Sequence, residues 1–347
     1  MRVRPPHEVP EHPRLVAPRS PKGDDPPGDG SPASTGESRL LVGPDADLTP
    51  LVTVVVPVNN AQGQLPTLLE ALARQTLSSA SVQVVIVDDA STDGTATAAR
   101  ASGFAQVVRT PSQLGSYGAR NMGISVARAS ILAFTDGDCI PEPSWLEHGL
   151  RALAMSSADL LAGHVEMPLG SKPPKAAVID AALHMTQRAW VESHGFGATA
   201  NLFVRRGVFD RVGVFNGRIW RGGDTEFCHR AVAAGFRLAY GPDAVILHEP
   251  RTARELARKA YGIGASGAGS PQSATSGHPR AFWAHPKSWL PARRPFAEGR
   301  LAERNYQPKR GEMMTLRLAH WLCYRLPRVA GSVVGSAGAL LGKGRGP

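Results

Sequence analysis

The chain has 347 residues, 42% of them hydrophobic, and a formal net charge of +10. That length allows one large α/β domain with appendages, or two domains, and the apolar content supplies a sizeable core. The three scattered cysteines, Cys139, Cys228 and Cys323, argue against a disulfide framework or a cysteine zinc site and fit a reducing compartment.

The charge is unevenly placed. From Arg251 onward there are 17 Lys/Arg and 4 Asp/Glu, against 22 and 25 in the preceding body. Such a basic tail suits an anionic surface, either membrane or nucleic acid. A solvated extension carries the same pattern.

Residues 1–49 are rich in Pro, Gly, Asp and Ser without apolar periodicity, and read as a disordered leader. No apolar run follows the basic Met1–Arg4 start, so no signal peptide is expected. Leu51–Val58 (LVTVVVPV) is a β-branched run, as expected of a strand buried on both faces of a parallel sheet. Leu65, Leu68, Leu69 and Leu72 give helical spacing over Leu65–Leu77. Val82–Val87 is a second buried strand, Thr95–Ala101 a short helix and Gln106–Arg109 a third strand. Tyr117–Ala129 is a small-residue helix and Ile131–Thr135 a fourth strand. Alternation at this spacing implies βαβ crossovers and a parallel sheet. Ligands of such sheets bind beyond the carboxyl ends of the strands.

The second half is less regular. Ala176–His194 can form one amphipathic helix, Thr199–Val204 a strand, Asp224–Ala234 a helix, and Arg237–Tyr240 and Ala244–His248 two short strands. Gly262–Pro279 is Gly/Ser-rich and reads as a mobile linker. No run of apolar residues reaches the ~20 needed for a spanning helix. Met313–Leu341 mixes Leu, Trp, Tyr and Val with Arg and Lys, which suits an interfacial segment or an ordinary docked helix.

Polar clusters follow the predicted strands: Asn59-Asn60, Asp88-Asp89 and Asp136-Gly137-Asp138. Two carboxylates one residue apart at a strand end can clamp a hard divalent cation bound to phosphate; a surface turn gives the same pattern. Asp88-Asp89 can accept hydrogen bonds from a ribose or base, or close an Asx turn with Asp93-Gly94. Gly115–Asn121 (GSYGARN) is a Gly-rich turn entering a helix, where backbone N–H groups and Arg120 can hold phosphate. Gly222-Gly223-Asp224-Thr225-Glu226 puts carboxylates at a helix start, as a cap or as a general base. His248 can be a metal or phosphate ligand or a packed neighbour.

In order and spacing over about residues 51–260, these pieces resemble glycosyltransferase family 2. They are Pro57–Asn60, Val85–Thr95 (VIVDDASTDGT), Gly115-x-x-x-Ala119-Arg120-Asn121-x-Gly123 and Phe134–Asp138 (FTDGD). The resemblance implies a GT-A-like, Rossmann-type, mostly parallel sheet flanked by helices, between the leader and a basic C-terminal extension. It divides the chain into 1–49, a catalytic domain at 50–262 (nucleotide-binding half 50–140, acceptor half 141–262) and the extension 263–347. By the same resemblance, Pro57, Asn59, Asp88, Asp89, Arg120 and Asp136 bind the nucleotide-diphosphate sugar, with Asp89 on the base. Asp138 binds Mn²⁺ or Mg²⁺ and Asp224 is the catalytic base; His248, by its place at a strand end, is expected as the further metal ligand.

The chain departs from the family pattern in two places. Gly223 stands where Glu often precedes the base, and Asn59 where an aromatic residue is usual. The Gln-x-x-Arg-Trp motif of processive members is absent after Arg251, as are multiple membrane spans, and both favour addition of a single sugar; the resemblance implies an inverting transfer. The alternatives are a nucleotidyltransferase, which lacks the Gly-rich phosphate loop it needs after the first strand, and a non-catalytic nucleotide- or nucleic-acid-binding module. The expected partners are the donor, a glycan or lipid-linked envelope acceptor, and a membrane surface met by the extension; nucleic acid is not among them. The expected location is cytoplasmic or peripheral on the inner face of the plasma membrane. Acceptor contacts fall within 163–220, with His164, Glu166 and Trp220 as candidates.

Overall fold

The structure, a computed structural model, describes residues 50–267, 290, 306–308, 312–330 and 333. The expected leader, and the linker beyond residue 267, lie outside the described residues. Four parallel strands open the fold: β1 (Val52–Val58), β2 (Val82–Asp88), β3 (Gln106–Arg109) and β4 (Ile131–Thr135), in the spatial order β3-β2-β1-β4. The connecting helices are α1 (Leu65–Ala73), α2 (Thr95–Ala101) and α3 (Gly115–Val126). β1 is buried almost throughout, as its β-branched sequence requires when helices cover both faces. α1 has Pro in its first turn and buries Leu65, Leu68, Leu69 and Leu72 along one stripe. α3 approaches the sheet so closely that a Cβ on Gly123 would stand 2.3 Å from Val55 Cγ1.

The second half makes the sheet mixed. β7 (Asn201–Arg205) runs antiparallel to β4, and β6 (Leu160–Glu166) antiparallel to β7. β8 (Leu238–His248) is parallel to β6, and the short β5 (Cys139–Pro141) antiparallel to β8. The eight-stranded order is β3-β2-β1-β4-β7-β6-β8-β5. Helices α4 (Trp145–Met155), α5 (Lys175–Leu183), α6 (Gln187–His194), α7 (Arg206–Val212), α8 (Gly223–Ala233) and α9 (Ala253–Gly267) complete it. Alternate β1 residues point to opposite faces. Val54 and Val56 join a core with Trp145 and Phe203, while Val55 joins one with Phe134, Phe209, Phe215 and Phe227.

Three expectations need correction. The single helix over Ala176–His194 is two helices. His184 adopts an extended backbone and Met185 a positive φ of 56°, at the point where the buried Asp180 carboxylate takes the His184 ring. The two short strands after Arg237 are one continuous strand, β8. Its register to β6 shifts between Gly163 and His164, so that Gly241 and Val245 pair with consecutive residues. The Gly241-Pro242 break in the sequence is therefore a bulge and not a strand end. The first part of the expected linker, Gly262–Gly267, is instead helical and belongs to α9.

Among the described residues no helix is long and apolar enough to cross a membrane. The segment expected at an interface forms α10 (Glu312–His320), followed by a π-helical turn at Trp321–Arg325. Leu316 of α10 is buried with Val178 and Ile179 of α5 and Leu256 of α9. Met314, Leu318 and Leu322 stay exposed.

A buried amide ties the second half together. Asn201 is fully buried; its Nδ2 donates to the carbonyls of His164 and Ala244, each at 2.8 Å, and its Oδ1 accepts Trp145 Nε1–H at 2.9 Å. One side chain thus joins β6, β8 and α4 to β7. Asn201→Ala strands three buried polar groups and is expected to destabilise the fold by about 3 kcal/mol, read as a lowered urea midpoint at unchanged m-value.

Candidate active site

The loops after β1, β2 and β4 meet at one end of the sheet. Asn59 Nδ2 donates to the Asp89 carbonyl at 2.6 Å, and Asn60 Oδ1 accepts from Thr92 N at 2.9 Å. Asn60 and Ala90 both take positive φ, 51° and 54°. Asp88 is fully buried, accepting from Ser91 N at 3.0 Å and Arg109 Nη1 at 3.1 Å. The Asp89 carboxylate accepts from Thr110 Oγ1 (3.0 Å), Leu114 N (2.8 Å) and Gly115 N (2.9 Å). It therefore anchors the N-terminus of α3, where the helix dipole favours a negative charge. Asp88 and Asp89 are buried beneath these loops and Asn59 is exposed beside them; none of the three lines the cleft itself.

The cleft encloses about 640 Å³ and is lined by Pro57, Tyr117, Arg120, Asp136, Asp138 and Asp224, with Trp190, Phe196 and Trp220 among the apolar walls. Arg120 is 3% exposed and ion-paired with Asp136. Its guanidinium lies 5.4 Å from the Tyr117 ring centroid, a cation–π distance. Its buried Nε has no hydrogen-bond partner.

Tyr117 Oη donates to Asp224 Oδ1 at 3.1 Å, and Thr225 N donates to the same oxygen at 2.9 Å. Burial pushes the Asp224 carboxyl above the usual range, against the Thr225 N–H, Arg120 and Tyr117, which favour its charge. Burial and the Asp224 charge push the Tyr117 phenol up as well. A Cβ on Gly223 would meet the Tyr117 ring at 2.7 Å, so the aromatic ring fills the space a side chain at 223 would need. Glu226 pairs with Arg230 one turn along α8 and faces away from the cleft.

Asp138 and His248 come from elements distant in sequence. The β5–β8 register places Cys139 opposite His248, and Asp138 Oδ2 lies 3.4 Å from His248 Nε2. His248 Nδ1 sits 2.7 Å from the Glu249 carbonyl; it carries the proton and donates it there, which makes Nε2 an acceptor, facing Arg251 Nη2 at 3.3 Å, that a cation could claim instead. Burial opposes the Asp138 charge, but His248 and Arg251 outweigh it and hold the carboxyl below its ordinary value. Two neighbouring ligands each ~2.1 Å from an octahedral cation stand about 3 Å apart, so this oxygen–nitrogen pair fits a divalent ion with little movement. Among the described residues no cluster of three or more His, Cys, Asp or Glu could hold a metal. Further ligands would be phosphate oxygens or water, as Mg²⁺ and Mn²⁺ accept.

Behind this pair, Asp180 is fully buried and accepts from Arg251 N at 2.8 Å, Arg251 Nη1 at 3.3 Å and His184 Nδ1 at 2.7 Å. Burial holds His184 down to about 4, so it is neutral near pH 7. Arg251 in turn reaches His248 Nε2 at 3.3 Å. Sequence reasoning missed Asp180, although a lone carboxylate inside the apolar run AAVIDAAL was a signal. It also missed the part Tyr117 plays, for which no local pattern exists. Of the acceptor candidates, Trp220 lines the cleft and packs on Gly115. His164 is bound to Tyr240 and Glu166, and neither His164 nor Glu166 lines it.

The model of glycosyl transferase family 2 matches residues 53–218. The chain is 34% identical over 219 residues to glycosyltransferase AglE of Haloferax volcanii, covering 62% of this chain and 72% of that one. It is 31% identical over 225 residues to the pre-mycofactocin glycosyltransferase of Mycobacterium tuberculosis, 60% of this chain but only 45% of that protein. The mannosyltransferase PcManGT from Pyrobaculum calidifontis, solved with GDP-Man and Mn²⁺, has a TM-score of 0.56 at 20% identity, over 82% of this chain and 87% of that chain, and so shares the fold. Sheet order, motif order and these alignments agree: the chain is a glycosyltransferase of family 2 with the GT-A fold.

Proposed function

We propose that this enzyme transfers a single sugar from a nucleotide-diphosphate sugar to an acceptor hydroxyl, with inversion and with a divalent metal. The observation that carries the reading is the convergence of Asp136, Asp138 and Asp224 on one cleft. Asp224 Oδ1 is occupied by Tyr117 and Thr225, which leaves Oδ2 to take the acceptor proton. Its raised pKa suits a base acting near neutrality. The acceptor oxygen forms its bond to the anomeric carbon as the bond to the nucleotide diphosphate breaks, and one displacement inverts the centre. Arg120 and Asp136, held as a pair, position the donor side. Asp138 and His248 would hold the Mn²⁺ or Mg²⁺, whose chemistry is Lewis-acid stabilisation of charge building on the diphosphate. The GDP-Man and Mn²⁺ bound to a fold neighbour support this donor class and metal. For the acceptor we propose a glycan or lipid-linked molecule of the cell envelope, with the exposed Met314, Leu318 and Leu322 row available for peripheral membrane contact.

The direct test is nucleotide release from a panel of UDP-, GDP- and dTDP-sugars with and without Mn²⁺. Metal-dependent release from one donor is expected, and Asp138→Asn is expected to weaken Mn²⁺-dependent nucleotide binding by about tenfold or more. Equal binding by the variant would remove Asp138 from the metal site. Asp224→Asn should cut turnover by about 10²-fold or more while nucleotide affinity holds; unchanged turnover would remove Asp224 from its role. In Tyr117→Phe the carboxylate loses a hydrogen bond that favours its charged form. The Asp224 pKa then rises further, and the acid limb of the pH–rate profile should move up by about 0.7 unit, equivalent to ~1 kcal/mol.

A further inference from the structure

Two ion pairs on the cleft are closed, Arg120 with Asp136 and Arg251 with the buried Asp180. Arg221 and Lys259 line the same cleft beside the exposed Arg258, and neither has a hydrogen bond or ion pair to any described residue. They come from different elements yet converge. Lys259 and Gly262 lie one turn apart on the same face of α9. The Arg221 guanidinium rests against that face, where a Cβ on Gly262 would stand 2.3 Å from its Nη2. Burial and the neighbouring Arg251 hold the Lys259 ammonium down to about 8, with Arg221 adding to the effect and the more distant Asp180 and Asp136 carboxylates opposing it without pairing; burial lowers Arg221 too. Two partly desolvated cations facing one another are unfavourable until an anion joins them. Across the cleft, the buried and unpartnered Arg120 Nε gives a further donor without an acceptor.

We propose that Lys259 and Arg221 form a subsite for a phosphate group carried by the acceptor. A guanidinium fork and an ammonium together match the several oxygens of a phosphate ester. The assignment to the acceptor rests on reading Asp224 as the base. Arg221 stands on the loop that enters α8 just before Asp224, so a hydroxyl delivered to Asp224 brings its neighbouring group beside Arg221. The donor diphosphate belongs with Asp136 and Asp138; Lys259 feels the Asp136 charge and so stands between the two sides, and it is Arg221 that carries the assignment to the acceptor. Glu255, the other carboxylate on this wall, is exposed and engaged with Thr252 at the start of α9.

The experiment is calorimetric titration of inorganic phosphate into the full chain, alone and with saturating UDP or GDP plus Mn²⁺. Phosphate is expected to bind in both conditions with similar affinity. Lys259→Met and Arg221→Met should each weaken it tenfold or more, Lys259→Arg should largely restore it, and nucleoside diphosphate affinity should stay within twofold, which also shows that the variants are folded. Displacement of phosphate by the nucleoside diphosphate would assign the two cations to the donor and overturn the proposal. So would phosphate affinity unchanged in both variants, or absent from the wild type. Phosphate binding without any nucleotide binding would uphold the subsite while sinking the donor reading.

Discussion

A single buried guanidinium organises the cleft. Arg120 is almost fully enclosed, paired with Asp136 and set against the Tyr117 ring. A positive charge in that position demands a partner, since leaving it unpaired costs several kcal/mol. That demand fixes Asp136 at the end of β4, and the field of Arg120 favours the charged form of Asp224 across the gap. Arg120 itself is placed by α3, whose first N–H groups are held by Asp89. The Asp89 carboxylate therefore acts on the cleft through a helix.

The metal pair is positioned by the β8–β5 edge of the sheet. β8 is long enough to run beside β6 and then reach β5, and its last residue is His248. A bulge absorbs the Gly241-Pro242 irregularity without ending the strand. Asp180 then fixes Arg251 from α5, and Arg251 borders His248. α5 and α9 share an apolar cluster with α10, so a helix near residue 316 backs the cleft wall.

How much of this was legible depended on how local the cause was. β1 and β2 announced themselves through β-branched runs that no other element tolerates so well, and Asp136, Asp138 and Asp224 through spacing that placed them at element ends. The α5–α6 break had no Gly or Pro to mark it; it lies where the buried Asp180 carboxylate takes the His184 ring and also Arg251, 71 residues away. β6 and α4 escaped notice because their apolar residues are recruited by Asn201 and Phe203 on another strand. Asp88 and Asp89 were placed correctly at a strand end, yet the backbone groups that satisfy them became visible only with the loops folded. The tail looked amphipathic from its composition, but which of its apolar residues meet α5 and α9 is a question of docking.

The Tyr117–Gly223 contact limits what can stand beside Asp224. With the ring 2.7 Å from any Cβ at 223, a side chain there fits only if the Tyr117 ring is displaced or truncated. The ring and the glycine therefore share one space, and what stands beside Asp224 is a phenol hydroxyl, a neutral donor, in place of a second acidic side chain from the preceding residue.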